Sequence, residues 1–189
     1  LHSLRRRQRQ MCIRDSHRAM IKIGGRGSEM FFHAPAIIDI KGTLVLNGIV
    51  EIGNGCLLRV EENGKLIFGN KVRIGAFSKI ICEESITFGN EIDVSWESQI
   101  FDTNFHYIKE VNTEKILPKT APVIIGSYNW FGNRANIMKG TITPDNTIIA
   151  SNSLLNKNYT NTPPYSVLAG TPAKFIRSGV KRMFEGVDL

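Results

Sequence analysis

Long apolar runs, cysteine and histidine are all scarce in this chain of 189 residues. No apolar run approaches the roughly 18 residues that cross a membrane, so we expect no membrane insertion. The chain has three cysteines and four histidines and no CxxC pair, which argues against a structural zinc and against a disulfide framework. Cys56 and Cys82 are expected to be small core residues in a reducing compartment, so the predicted location is the cytoplasm.

The net charge of +7 is concentrated at the start of the chain. Five arginines against one aspartate put +4 into residues 1–16 and leave +3 for the rest, which predicts no nucleic-acid partner. Residues 6–16, RRQRQMCIRDS, resemble a translated sequencing adapter. We therefore interpret residues 1–16 as an artefact rather than a disordered basic arm or RNA-binding tail, and residues 17–37 as a lead-in.

An internal repeat of six residues organises the remainder. Fifteen of its 16 slots are apolar, with Thr143 the exception, where composition alone gives about seven. The slots are Ile40, Leu46, Ile52, Leu58, Phe68, Ile74, Ile80, Phe88, Val94, Ile100, Ile125, Phe131, Ile137, Thr143, Ile149 and Leu155.

A period of six fits neither an α-helix nor a simple strand alternation. It is typical of a triangular coil in which each hexad forms one short face and points its apolar residue to the axis. Glycine often follows the slot, and we expect it to relieve the bend. The predicted fold is an all-β parallel solenoid over residues 38–158, with corner loops at residues 60–67 and 82–87. A tail with a possible helix follows at residues 159–189.

One break in the repeat is much longer than the others. The slot after Ile100 is His106, and regular coil does not resume until about Val123. Loops of this length inside compact domains are usually functional or disordered. We therefore predict a functional loop at residues 107–122, although a histidine that only closes a coil is the alternative.

Three ordered motifs carry a family resemblance. They are FDTNFHYI at residues 101–108, IIGSYNWFG at residues 124–132 and LAGTPAKFIR at residues 168–177. In these motifs the chain resembles the hexapeptide-repeat acyltransferases, and its Asp-x-Asn-x-His form looks closest to sugar and capsular-polysaccharide O-acetyltransferases. The resemblance implies a left-handed coil, a homotrimer with sites between subunits, and acetyl-CoA as co-substrate. The implied acceptor is a hydroxyl of a sugar or surface-polysaccharide precursor.

The resemblance also implies roles for residues near the long loop. His106 is the expected general base, since a neutral imidazole suits proton removal near pH 7. An oriented imidazole needs a partner on its other nitrogen, and Asp102 is the first candidate by proximity. Asn104 is expected to contact substrate, and Asp93 and Glu84 are alternative partners.

Further residues fall on the family's substrate and cofactor positions. Trp130 is expected to wall a narrow substrate channel. Cationic side chains near the C-terminus suit the phosphates of CoA, and corner residues one turn apart suit its pantetheine amides. The expected CoA contacts are Asn133, Ser151, Lys157, Lys174 and Arg177.

Two other function classes are open. A metal enzyme of the γ-carbonic-anhydrase type needs three converging histidines, but His2, His17 and His33 all lie ahead of the repeat and only His106 lies within it. We expect no metal. A non-catalytic scaffold or binding module has no need of His106 and Trp130 together with the cationic side chains near the C-terminus. The acceptor's identity does not follow from the sequence.

Overall fold

The computed structural model describes residues 10–13, 20–25 and 32–183, with the backbone alone for residues 10–13. The start of the expected lead-in at His17, and most of residues 1–16, lie outside this part. In chain order the strands are β1 (Gln10–Ile13), β2 (Ile21–Gly25), β3 (Ile37–Ile40), β4 (Thr43–Leu46), β5 (Val50–Gly53), β6 (Leu57–Val60), β7 (Lys65–Phe68), β8 (Val72–Ile74), β9 (Lys79–Cys82), β10 (Ser85–Phe88), β11 (Ile92–Val94), β12 (Gln99–Phe101), β13 (Ile108–Lys109), β14 (Ile116–Leu117), β15 (Val123–Ile125), β16 (Trp130–Phe131), β17 (Asn136–Ile137), β18 (Ile142–Thr143), β19 (Ile148–Ile149), β20 (Leu154–Leu155), β21 (Val167–Gly170) and β22 (Ala173–Arg177).

Three sheets form the three faces of a prism. Face A contains β1, β4, β7, β10, β15 and β18, face B contains β2, β5, β8, β11, β16, β19, β21 and β22, and face C contains β3, β6, β9, β12, β17 and β20. Because the chain visits each face once per turn, strands three apart pair in parallel up to β12 and again from β15 to β20. Across the inserted strands β13 and β14 the interval is five. The predicted parallel β-solenoid is confirmed.

The slots of the repeat form the axis of the prism. Fifteen of the 16 are buried. Ile40 is half-buried and pairs with Val60, so Ile38 and not Ile40 lies in register with the slot Leu58. The single polar slot is paired inside the core: the Asn129 side-chain amide donates to Thr143 Oγ1 at 2.7 Å, and the Gly126 N–H donates to the same oxygen at 3.1 Å. Burial of this hydroxyl costs little free energy, because its oxygen accepts two hydrogen bonds.

The glycines that follow the slots were expected to relieve the bend, but none of them has a left-handed backbone. A Cβ on Gly75 would lie 2.6 Å from the backbone nitrogen of Trp96, and one on Gly132 would lie 2.6 Å from that of Ser151. Glycine is needed there because the next coil passes too close for a side chain. The left-handed residue lies two positions later, as at Phe77 (φ 57°).

Between β3 and β20, all departures from an 18-residue turn lie at the corner between faces C and A, hereafter the C–A corner. On face A, paired slots are 22 residues apart between β4 and β7, 20 between β7 and β10, and 37 between β10 and β15. The next pair returns to 18 residues. The expected corner loops are confirmed, and the long loop leaves from the same corner as the short ones.

The solenoid extends beyond residues 38–158 at both ends. Strand β2 pairs with β5 on face B, and the backbone of β1 pairs with β4 on face A, within the segment interpreted as an artefact. After residue 158, β21 adds another parallel strand and β22 turns back antiparallel to it. The possible C-terminal helix is absent from residues 159–183, and no described residue belongs to a helix that could span a membrane.

Candidate active site

His106 lies on an arm that projects from the C–A corner. The chain leaves the coil after Asp102, whose carbonyl oxygen accepts the Ala121 N–H at 3.0 Å, and an antiparallel bridge joins Thr103 to Thr120. We call residues 103–121 the arm. Its strands β13 and β14 form an antiparallel pair, so the expected loop has structure of its own. His106 is exposed on the arm. The repeat placed it at an inward slot of the hexads, and that placement is wrong.

The arm is tied to the coil before it and the coil after it. Within the arm, the Asn104 N–H donates to the Lys119 carbonyl at 2.9 Å. The Lys119 ammonium forms an ion pair with the Glu83 carboxylate of the preceding corner at 2.5 Å. On the other side, the Lys139 ammonium donates to the Pro118 carbonyl. These contacts fix the segment that carries the histidine.

Asp102 is fully buried beneath the arm. Its carboxylate accepts the backbone N–H groups of Glu83, Glu84 and Ser85 at 2.8, 2.8 and 2.7 Å. Such charge-assisted bonds satisfy a buried carboxylate and hold the preceding corner loop in place. In the described part of the chain, no side chain is hydrogen-bonded to the His106 imidazole. The orienting role of Asp102 therefore stays a prediction, beside a structural role that the sequence did not indicate.

Trp130 lies on the outer surface of face B, one coil above Asp93. Its indole N–H reaches Ser95 Oγ at 3.4 Å, and the Arg182 guanidinium lies 5.2 Å from its ring centroid. Arg182 and Arg73 both bind the Asp93 carboxylate. Burial raises the pKa of Asp93, but the bonds from the two arginines outweigh it and hold that pKa below its ordinary value. On face B the Asp93 carboxylate thus binds two arginines, and no bond joins it to His106.

The expected CoA contacts lie at three places. Asn133 and Ser151 stack one coil apart at the corner between faces B and C, hereafter the B–C corner, where Ser151 Oγ donates to Asn133 Oδ1 at 2.6 Å. Lys157 lies at the C–A corner with its ammonium 5.4 Å from the Tyr159 ring centroid. Lys174 and Arg177 are exposed on β22. Within a single chain, only Lys157 among the predicted CoA contacts therefore shares a corner with the predicted base.

A polar depression of about 390 Å³ lies beside the B–C corner. It adjoins the Asn133–Ser151 stack, because the Asn152 N–H donates to the Asn133 carbonyl at 3.0 Å. Its lining offers amide groups and one ion pair to a polar ligand, and comprises Glu97, Gln99, Arg134, Asn136 and Asn152.

The cysteines confirm their expected structural role. Cys56 and Cys82 are free and buried. Burial raises the pKa of Cys56 to about 11, and burial with the nearby Asp102 carboxylate raises that of Cys82 further. Both are thiols at neutral pH and therefore poor nucleophiles. Within residues 20–25 and 32–183, no three side chains of His, Cys, Asp or Glu are grouped as a metal site requires.

Several curated proteins are similar to the chain, although no protein-family model matches it. A putative lipopolysaccharide biosynthesis O-acetyl transferase of Escherichia coli K12 is 25% identical over 76% of either chain. A polysialic acid O-acetyltransferase of E. coli O1:K1 is 26% identical over 63% of this chain and 38% of its own. A probable macrolide acetyltransferase of Lysinibacillus sphaericus is 34% identical over 58% of this chain and 61% of its own. The chain spans less than two thirds of the last two, and all three support an acyltransferase.

Solved structures share the fold. The polySia-specific acetyltransferase NeuO superposes with a TM-score of 0.61 at 19% identity, over 96% of this chain and 93% of its own. AntD, an N-acyltransferase from Bacillus cereus in complex with dTDP and 3-hydroxybutyryl-CoA, gives 0.64 at 14% identity, over 89% and 82%. The match confirms a left-handed β-helix. Sequence and fold together confirm the resemblance to the hexapeptide-repeat acyltransferases.

Proposed function

We propose that the chain transfers an acetyl group from acetyl-CoA to a hydroxyl of a sugar or surface-polysaccharide precursor. The observation that carries the proposal is an exposed histidine on an arm that is tied to its neighbouring coils at several points. Relatives that are named O-acetyltransferases of lipopolysaccharide and polysialic acid support the reaction type and the acceptor class. A structural neighbour bound to an acyl-CoA supports a CoA thioester as the donor.

His106 is the proposed general base. Its neutral imidazole takes the proton of the acceptor hydroxyl while the oxygen attacks the thioester carbonyl, forming a C–O bond. The tetrahedral intermediate then expels the CoA thiolate, which receives the proton from the imidazolium. No protein nucleophile is required, in keeping with two buried thiols of raised pKa. Asp102 remains the first candidate to orient the imidazole, and Asn104 a candidate substrate contact.

The donor is proposed to lie between subunits of a homotrimer. His106 and Lys157 lie at the C–A corner, whereas Asn133 and Ser151 lie at the B–C corner. A threefold arrangement lets the C–A corner of one copy meet the B–C corner of the next, which would complete the site. Trp130, Lys174 and Arg177 on face B are further proposed contacts, the cations for the phosphates of CoA. Since acetyl-CoA is a cytoplasmic metabolite, the proposed location is the cytoplasm.

A thiol-release assay tests the proposal. Wild type and His106→Ala are incubated with acetyl-CoA and a panel of sugars, oligosaccharides and amino sugars, and acetylated product is identified by mass spectrometry. We expect wild-type turnover on a hydroxyl acceptor and a loss of about 10²- to 10⁴-fold in the variant. CoA binding without transfer to any acceptor would indicate a binding module instead. One tightly held zinc per subunit would indicate a metal enzyme.

A further inference from the structure

Two aromatic side chains flank His106 on the arm. Phe105 is 45% exposed and Tyr107 is 73% exposed. Exposed aromatic rings are costly to leave in water and are typical of recognition surfaces. Their position directly beside the proposed base places them where an acceptor must approach.

Phe105 is held by contacts to β12 and to the start of the arm. Its ring packs edge-on against Phe101, with the ring centroids 5.4 Å apart. Its N–H donates to Thr103 Oγ1 at 2.9 Å, and its backbone is left-handed at φ 64°. The same left-handed backbone occurs at ordinary corners of the solenoid such as Phe77, so the ring contact and the N–H bond are what hold Phe105 in place. The segment that precedes His106 is therefore held in place.

Tyr107 is held by a cation–π contact with Lys119, whose ammonium is itself held by an ion pair. The Lys119 ammonium lies over the ring, 5.8 Å from its centroid. Glu83 holds that ammonium at 2.5 Å, and both charged side chains are largely buried, at 18% and 28% exposure. The cation attracts the negative face of the ring and leaves the opposite face open. Tyr107 is thus a fixed, solvent-facing aromatic surface and not a loose side chain.

We propose that Tyr107 is the platform on which the acceptor sugar stacks. The apolar C–H face of a pyranose ring packs against an aromatic face, and the stacked ring then carries its hydroxyls to the neighbouring His106. Glu83 and Lys119 are positioning residues that act through Tyr107. This inference rests on the proposed function and assigns the acceptor class, a saccharide with an exposed apolar ring face.

The test combines acceptor kinetics with direct saccharide binding. Tyr107→Ala is expected to raise KM for the saccharide about tenfold, with kcat changed less than about twofold and KM for acetyl-CoA unchanged. Tyr107→Trp keeps the platform and is expected to stay near wild type. Tyr128→Ala removes an exposed tyrosine at the corner between faces A and B and serves as the matched control. Glu83→Gln should shift the acceptor KM in the same direction as Tyr107→Ala.

Saturation-transfer NMR with hexose, N-acetylhexosamine and sialic acid oligosaccharides separates this inference from the proposed function. Binding that disappears in Tyr107→Ala supports the platform even if wild type transfers no acetyl group, in which case only the proposed reaction fails. Acetylation of a saccharide with equal KM and equal binding in wild type and Tyr107→Ala overturns the platform alone. It is also overturned if no saccharide binds wild type, or if light scattering shows that Tyr107→Ala dissociates the oligomer.

Discussion

The Asp102 carboxylate accepts the backbone N–H of Ser85 at 2.7 Å, across one full turn of the coil. The same carboxylate also accepts the N–H groups of Glu83 and Glu84. Glu83 in turn forms an ion pair with Lys119 on the arm. The buried Asp102 side chain therefore holds in place the corner loop to which the arm is bound. The position of His106 therefore depends on contacts that begin in the preceding coil.

Replacing Asp102 by asparagine is expected to lower the free energy of unfolding by about 1–3 kcal/mol, because an amide places an N–H against buried N–H donors. Urea unfolding followed by circular dichroism measures the loss. Asp145→Asn is the control, since Asp145 is exposed and accepts one N–H, from Ser127. Equal losses in the two variants would refute the role assigned to Asp102.

Acid should weaken the link between the C-terminal segment and face B. The pKa of Asp93 lies below its ordinary value of 3.8, so its carboxylate stabilises the fold fully above that value. The stabilisation is lost as the pH falls from 3.8 through the lower pKa of the folded state. We expect the stability difference between wild type and Asp93→Asn to be constant from pH 5 to 7 and to shrink below about pH 3.8. A difference that grows on acidification would refute the assignment.

Arg182→Gln should uncover Trp130. The arginine lies over the indole ring, so its removal opens that face to solvent. In a Trp96→Phe background, which leaves Trp130 as the single fluorophore of its type, acrylamide quenching of the fluorescence should increase. Unchanged quenching would mean that Arg182 does not cover the ring in solution.

Gly75→Ala should destabilise the protein by about 3 kcal/mol, because the added methyl group meets the backbone of the next coil. Gly140→Ala is the control: it has φ 75° but its nearest neighbour is 3.9 Å away, so it bears only the left-handed cost of about 1 kcal/mol. Thermal or urea unfolding gives the ranking. A larger loss at Gly140 would contradict the role of close coil approach.

The axis of the prism could be predicted from the sequence because inward positions repeat at a fixed period. Even the polar slot Thr143 follows the pattern, and Asn129 satisfies it. The role of the glycines could not be predicted, since the approach of Gly75 to Trp96 depends on neighbouring coils and not on local backbone preference. The strand β2 precedes the regular hexads and shows no repeat of its own.

The candidate site was predictable in its motifs but not in its contacts. The long break located the arm that carries His106. The pairing of Asp93 with Arg182 joins residues 89 apart, and nothing in the hexad pattern indicates it. The hydrogen bonds that the Asp102 carboxylate accepts from backbone N–H groups could not be predicted either, because the donors belong to the preceding coil.

The most direct measurement is thiol release from acetyl-CoA by His106→Ala with the preferred acceptor. His33→Ala is the matched control, since His33 is also exposed but lies in the lead-in, ahead of the regular hexads. We expect kcat to fall by about 10²- to 10⁴-fold in His106→Ala and to stay at the wild-type level in His33→Ala. Near-wild-type turnover of His106→Ala would contradict the account.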